Sequence, residues 1–290
     1  MSALVHFWEA IAQYQYLQNA LLASVMVGVI CGIIGCFIIL RGMALMGDAI
    51  SHAVLPGVVI AYMLGYSYFI GAVATGVLTA LAIGYISHNS KMKDDTAIGV
   101  MFTAAFALGV VLITLRRGTG SMLWNILFGN VLAVSRGDLL MTCSIGLVVI
   151  ACIYVFYKQL LLSTFDPIMA EAVGLPTGLI HYLLMFLLSL VTVASLKTVG
   201  IVLVVAMLVT PGATAYLLTD RLSNMLWLSA LFGVLAAVSG VYFSFIYDVA
   251  TGGSIVLVST FFFILAFFLA PKQGVLPRWI GARSRTLRDE

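Results

Sequence analysis

Acidic, hydroxyl and imidazole side chains occur together where an apolar run begins, in the stretch 47–57. If this stretch is helical, Asp48 and His52 lie one turn apart on the same face, with Ser51 beside them. A carboxylate and an imidazole form a mixed oxygen and nitrogen ligand set that suits Mn(II), Fe(II) or Zn(II). The same pair also fits a proton relay, or a helix-capping aspartate beside a structural histidine. Two ligands leave a metal's coordination shell incomplete, so other groups would have to complete it.

A second candidate lies in the apolar run 198–218, which contains Thr210, Pro211 and Gly212. Proline removes a backbone hydrogen bond, so the run predicts a discontinuous helix that exposes backbone groups to a transported ion. A kink that serves only packing is an equal alternative. Thr210 and Pro211 are therefore candidate pathway residues, together with Ser51.

A third feature is the weakly polar segment 165–176, between two apolar runs. Asp166 can cap a short helix, Pro167 suits its first position and Gly174 suits its end. Such a helix along the cytoplasmic membrane surface is a natural docking site for a partner protein. Its candidate docking residues are Asp166, Glu171 and Gly174, and an ordinary connecting helix is the alternative.

The elements that position these residues must lie in a membrane. Of 290 residues, 63% are hydrophobic and 9% are charged, whereas soluble domains carry about 25% charged residues. Nine apolar runs approach the length of about 20 residues that a transmembrane helix needs. They cover residues 17–40, 48–64, 67–88, 96–115, 137–157, 177–196, 198–218, 224–247 and 253–271. Since the second run is short and the seventh contains Pro211, we predict an all-α polytopic membrane protein with about eight or nine transmembrane helices.

Basic residues predict the orientation. With the N-terminus outside, all of the 14 lysines and arginines except Arg116, Arg117, Arg136 and Lys197 fall on the cytoplasmic side, as the positive-inside rule requires. We expect an interfacial N-terminal flank at 1–16, a single transmembrane domain at 17–271 and a basic cytoplasmic tail at 272–290. The run Gly28, Gly32 and Gly35 predicts close helix packing.

Several functional classes lack their motifs in this sequence. It contains no G-x-x-x-x-G-K-[ST] phosphate loop, no recognisable nucleophile arrangement and no basic, aromatic stretch for nucleic acid. We therefore expect a transport subunit rather than an enzyme, and any ATP hydrolysis that drives it belongs to another chain.

The segment 35–57, GCFIILRGMALMGDAISHAVLPG, resembles the permeases of metal-type ABC importers, the zinc, manganese and iron family. The segments 126–134, ILFGNVLAV, and 204–216, VVAMLVTPGATAY, resemble them too, and 253–257 and 270–272 agree. The resemblance covers residues 15–275, and its wording is closest to the manganese permeases.

This resemblance implies a homodimer with one translocation path at the dimer interface, and a fold similar to the cobalamin-importer (type II) permeases. It also implies two copies of a cytoplasmic ATPase, an extracellular or periplasmic metal-delivery protein, and a bacterial plasma membrane. The family's metal ligands map onto Asp48 and His52, and its ATPase-docking helix onto 166–174, including Glu171.

The function expected from this resemblance is the permease subunit of an ATP-driven importer, with Mn(II) as the preferred substrate. Import of Zn(II) or Fe(II) by the same kind of permease is the first alternative. A gradient-driven transporter or channel, or an assembly or sensor protein, are the others. The metal is expected as a transported substrate, with no permanently bound cofactor.

Overall fold

The computed structural model describes residues 3–115 and 131–270, apart from the side chains of residues 3, 4 and 88. Arg116 and Arg117, the motif residues 126–130 and the basic segment 272–290 lie outside the described residues. In the described part, all regular elements are helical, as predicted for an all-α fold. They are α1 Ala3–Gln13, α2 Gln15–Leu40, α3 Met46–Ala53, α4 Leu55–Leu64, α5 Tyr68–Asn89, α6 Asp94–Leu115, a 3₁₀ turn Val131–Ala133, α7 Arg136–Val155, α8 Tyr157–Phe165, α9 Pro167–Ala172, α10 Thr177–Val199, α11 Ile201–Leu218, α12 Leu222–Tyr247 and α13 Thr251–Leu269.

Within the described ranges, nine segments are long and apolar enough to cross a membrane. They are α2, α3 with α4, α5, α6, α7, α10, α11, α12 and α13. This confirms the predicted polytopic fold. The second span is divided into two helices at Val54, because Pro56 in the first turn of α4 has no backbone N–H to continue the hydrogen bonds of α3.

Helix α2 is the centre of the bundle and packs against α7, α11 and α12. A Cβ atom at Gly28 would lie 2.8 Å from the carbonyl oxygen of Gly233 on α12. Gly35 lies still closer to the backbone of Leu208 on α11. The close packing predicted from the glycines of α2 is confirmed, because only hydrogen fits between the backbones at these crossings.

Different polar contacts occur at the two ends of the bundle. At one end, Asn19 Nδ2 donates a hydrogen bond to the Val134 carbonyl at 3.2 Å, and Lys197 Nζ lies 2.7 Å from Asp138 Oδ1. Arg41 lies at the opposite end, beside α8 and α10. By the positive-inside rule the Arg41 end is the predicted cytoplasmic end, and the Asn19 end is the predicted outer end.

The helix break expected at Thr210 and Pro211 is wrong, because α11 continues through both residues. The chain breaks earlier, at Gly200, whose φ of 83° ends α10. A Cβ at Gly212 would lie 3.2 Å from the Gly35 backbone of α2. The Pro-Gly pair therefore lies where α11 crosses α2 closely. The one hydrogen bond that proline removes is tolerated in a helix supported by its neighbours.

Candidate metal site and docking helix

The two predicted metal ligands lie together on α3. Asp48 is in the first turn of this helix and His52 one turn further along, with 3.5 Å between Asp48 Oδ1 and His52 Nε2. This separation exceeds that of an ordinary N–H···O hydrogen bond. It is wide enough for one metal ion to contact both atoms at about 2.1–2.2 Å. The side chain of Asp48 is 42% exposed and that of His52 22%, so the pair opens toward the outside of a single chain.

Two phenylalanines of α6 enclose the imidazole of His52. The ring centroids of Phe102 and Phe106 each lie 5.5 Å from that of His52. The Nδ1 atom of His52 is buried and has no hydrogen-bond partner among the residues that the structure describes. A buried nitrogen of this kind needs a ligand or a water molecule. The nitrogen that faces Asp48 is Nε2, so the unpartnered Nδ1 shows that the ring lacks one hydrogen bond and does not itself belong to the candidate metal site.

The buried face of α3 fixes the position of Asp48 and His52 within the bundle. Met46 and Ile50 are completely buried, and a Cβ at Gly47 would lie 2.7 Å from Cδ1 of Leu208 on α11. Ser51 is also buried, and its hydroxyl donates a hydrogen bond to the Gly47 carbonyl at 2.8 Å. The Ser51 hydroxyl is therefore engaged by the helix backbone, and its role in the metal pathway stays a prediction.

A single chain supplies too few ligands for a complete metal site. Among residues 3–115 and 131–270, no group of three or more His, Cys, Asp or Glu side chains is close enough together to hold a metal ion. Thr210 and Pro211 lie on α11, which packs against α3. The Thr210 carbonyl accepts a hydrogen bond from Thr214 Oγ1 at 2.7 Å. Their place in the pathway also stays a prediction.

The short helix predicted between two spans is confirmed as α9. Asp166 Oδ1 accepts a hydrogen bond from the Met169 N–H at 2.9 Å, and Pro167 occupies the first turn. Gly174, with a φ of 85°, ends the helix. Glu171 Oε1 accepts a hydrogen bond from Thr177 Oγ1 at 2.7 Å, which connects α9 to the start of α10.

Helix α9 presents apolar side chains on its outward face. Ala170 is completely buried and anchors the helix, whereas Ile168 is 82% exposed. Phe165, Met169 and Val173 are also exposed around it. An apolar patch of this kind at the cytoplasmic end, beside the charged Glu171, is typical of a protein–protein contact.

Comparison with known proteins identifies the family. Residues 13–270 match the ABC 3 transport family (ABC-3). The chain belongs to this family. Among curated relatives, the manganese transport system membrane protein MntC of Halalkalibacterium halodurans is 69% identical over 288 residues, which cover 99% of both chains. The protein of the same name from Listeria monocytogenes is 56% identical over 270 residues, or 93% of this chain and 96% of the relative.

A solved structure shares the fold of this ABC-3 protein. A chain of PsaBC from Streptococcus pneumoniae in complex with Fab is 48% identical, with a TM-score of 0.83. The match covers 93% of this chain and 97% of that one. The resemblance to ABC importer permeases predicted from the segment 35–57 is thereby confirmed.

Three residues that surround the candidate site in this ABC-3 protein were not predicted from the sequence. Phe102 and Phe106 are spaced one helical turn apart, but so are many lipid-facing aromatic pairs in apolar runs. Leu208 looks like any other leucine of its span. Only the arrangement of α3, α6 and α11 reveals their contacts with His52 and Gly47.

Proposed function

We propose that this chain is the membrane-spanning subunit of an ATP-driven importer of Mn(II). The observation that carries the proposal is the Asp48–His52 pair, which combines a carboxylate oxygen and an imidazole nitrogen 3.5 Å apart with an opening on one side of the chain. The names of the relatives, which specify manganese transport, support the choice of metal.

A second copy of the chain completes the site in this proposal. In a two-fold symmetric dimer the exposed faces of α3 meet, and two Asp48 carboxylates and two His52 imidazoles surround one ion. Oxygen and nitrogen ligands suit Mn(II), and water molecules complete a six-coordinate shell. Ser51, Thr210 and Pro211 remain candidate pathway residues along this interface.

The partners follow from the two ends of the bundle. At the cytoplasmic end, α9 with Asp166, Glu171 and Gly174 docks an ABC ATPase subunit, one on each permease copy. At the outer end, a metal-binding protein delivers the ion. In the same proposal α1 lies in the interface at the outer face of the plasma membrane. Residues 17–271 form the single transmembrane domain, and the basic segment 272–290 lies in the cytoplasm.

In the proposed transport cycle, the Asp48–His52 pair binds the ion between its delivery from outside and its release into the cytoplasm. The ion leaves the delivery protein and binds Asp48 and His52. ATP-driven closure of the two ATPase subunits moves α9, the transmembrane helices tilt, and the path opens to the cytoplasm. The permease itself supplies the ligands and the helices that move, while the chemistry of ATP hydrolysis belongs to the partner.

Metal accumulation tests the site directly. A strain that lacks its own manganese importer receives the complete transporter with wild-type, Asp48→Asn or His52→Ala permease. We expect both variants to lose more than about tenfold in Mn(II) uptake, since even residues that only support metal ligands contribute 10–100-fold. Asp95→Asn, an exposed carboxylate at the start of α6, is the matched control and should transport normally.

The outcomes separate the alternatives. Normal uptake by well-expressed Asp48→Asn and His52→Ala permeases would show that the assigned ligands are wrong. Competition among Mn(II), Zn(II) and Fe(II) identifies the substrate, because the Irving–Williams order lets an Asp/His set bind Zn(II) tightly as well. Uptake by the permease alone in liposomes, without the ATPase, would instead establish a gradient-driven transporter.

A further inference from the structure

Arg41 connects three parts of the cytoplasmic end. Its Nη2 donates a hydrogen bond to Ser163 Oγ at 2.9 Å and its Nε donates to Thr164 Oγ1 at 3.2 Å, both on α8. Its Nη1 lies 3.2 Å from His181 Nδ1 on α10. A guanidinium has only donors, so this nitrogen of His181 must accept, which requires a neutral ring protonated on Nε2. Burial lowers the pKa of Arg41, but an arginine side chain stays protonated at any physiological pH.

The backbone after Arg41 forms a stiff turn toward the metal site. Gly42, with a φ of 71°, donates to the Ile39 carbonyl at 3.0 Å, and Met43 donates to the Ile38 carbonyl at 2.9 Å. These two bonds form a Schellman motif, which fixes the end of α2. Helix α3, with Asp48 in its first turn, begins at residue 46. A displacement of Arg41 therefore reaches the metal-bearing helix through a short and rigid connection.

The acceptors of Arg41 lie next to the docking helix. Ser163 and Thr164 are in the last turn of α8, and Asp166 is the residue that joins α8 to α9. A cavity of about 200 Å³, lined by Arg41, Pro167 and Glu171 among others, separates the guanidinium from α9. Across this space, the hydrogen bonds of Arg41 are a direct polar connection between α2 and the α8–α9 corner.

We infer that Arg41 is a positioning residue that transmits the movement of the docking helix to the metal site. This inference rests on the proposed function. When the ATPase moves α9, Ser163 and Thr164 move with it, and the fork of Arg41 carries the displacement into the α2–α3 turn. Asp48 and His52 then change position in step with ATP hydrolysis. An intact Arg41 is needed for coupling and not for metal binding.

The test measures coupling as Mn(II) transported per ATP hydrolysed, in proteoliposomes that contain the permease, its ATPase and the delivery protein. We expect Arg41→Gln to lower this ratio about tenfold, a typical size for the coupling between two sites. ATP hydrolysis and equilibrium Mn(II) binding to the purified complex should persist. Arg41→Lys should be intermediate, since lysine keeps the charge but lacks the planar fork.

Two further variants keep the test decisive. Arg221→Gln removes an exposed arginine from the cytoplasmic end and should leave the ratio unchanged. The double variant Ser163→Ala, Thr164→Val removes two acceptors and leaves Arg41 in place. It should lower the same ratio, and it serves if Arg41→Gln fails to assemble.

Three results would overturn the inference. These are an unchanged ratio in Arg41→Gln, even where uptake and hydrolysis both fall, an unchanged ratio in the double variant, or loss of equilibrium Mn(II) binding in Arg41→Gln. The wild-type complex separates this inference from the proposed function: if it hydrolyses ATP without moving Mn(II), the proposed function itself is wrong.

Discussion

The crossing of α2 and α12 at Gly28 makes a quantitative prediction about assembly of the bundle. In Gly28→Ala, the added methyl group would lie 2.8 Å from the Gly233 carbonyl oxygen, whereas ordinary contacts begin at 3.4 Å. Both sides of this contact are backbone, so no side-chain rotation relieves it. The two helices must separate by the difference, about 0.6 Å, and the contacts along the crossing weaken together.

The magnitude follows from two opposing terms. Overpacking a well-filled contact costs about 1–3 kcal/mol. Replacing glycine by alanine within a helix recovers about 0.8–1 kcal/mol. The net loss of stability is therefore about 0–2 kcal/mol for Gly28→Ala. A matched control isolates the second term: a methyl group added at Gly99 on α6 would meet nothing within 4 Å, so Gly99→Ala gains the helix term alone.

The informative quantity is the difference between the two alanine variants. We expect Gly28→Ala to be less stable than Gly99→Ala by about 1–3 kcal/mol. Thermal unfolding of the detergent-solubilised complexes, followed by tryptophan fluorescence and by the monodisperse fraction after heating, measures it. Gly28→Val should lower stability further. Equal melting of the two alanine variants would refute the view that backbone contact at this crossing determines the packing of α2.

Three other predictions concern the outer end, the cytoplasmic turn and the cysteines. At the outer end, Asp138→Ala and Lys197→Met each break the ion pair between these two residues. Asp138→Ala also removes the capping box of α7 and should lower stability by about 1 kcal/mol. Lys197→Met should cost less than about 1 kcal/mol because the ion pair is partly exposed, and melting curves compare the two variants. Gly42→Ala meets no neighbouring atom but places a side chain at a φ of 71°, so we expect a loss of about 1–2 kcal/mol and reduced uptake. Cys31 and Cys36 are completely buried, so maleimide should label them only after denaturation, which mass spectrometry detects; rapid labelling of the folded protein would contradict the packing around α2.

Much of the fold follows from the sequence because its dominant signal is local. An apolar run must become a helix in lipid, and the third run, predicted at 67–88, corresponds to the span Tyr68–Ser87. Asp166 and Gly174 likewise delimit α9 through capping rules that involve only neighbouring residues. The spacing of Asp48 and His52 placed both on one helical face for the same reason.

The features that were predicted wrongly or missed depend on contacts between residues that are far apart in the sequence. Pro211 suggested a break, but the tolerance of α11 for proline depends on its packing against α2, which is far away in sequence. Arg41 looked like a topology signal alone, although its partners on α8 and α10 lie more than a hundred positions along the chain. The shielding of His52 by α6 is also a tertiary contact. Such pairings have no local signature in a single sequence.

The uneven burial of the spans has a consequence for the mechanical behaviour of the candidate metal site. Along its most apolar stretch α11 is 50% buried within the chain, whereas α6 is 11% buried. Helix α3 lies between these two helices, with Gly47 against α11 on one side and His52 against Phe102 of α6 on the other. One wall of the ligand pair is therefore stiff and the other compliant. Backbone amides of α6 should exchange with deuterium before those of α11. Thermal opening of the site is thus directed toward α6.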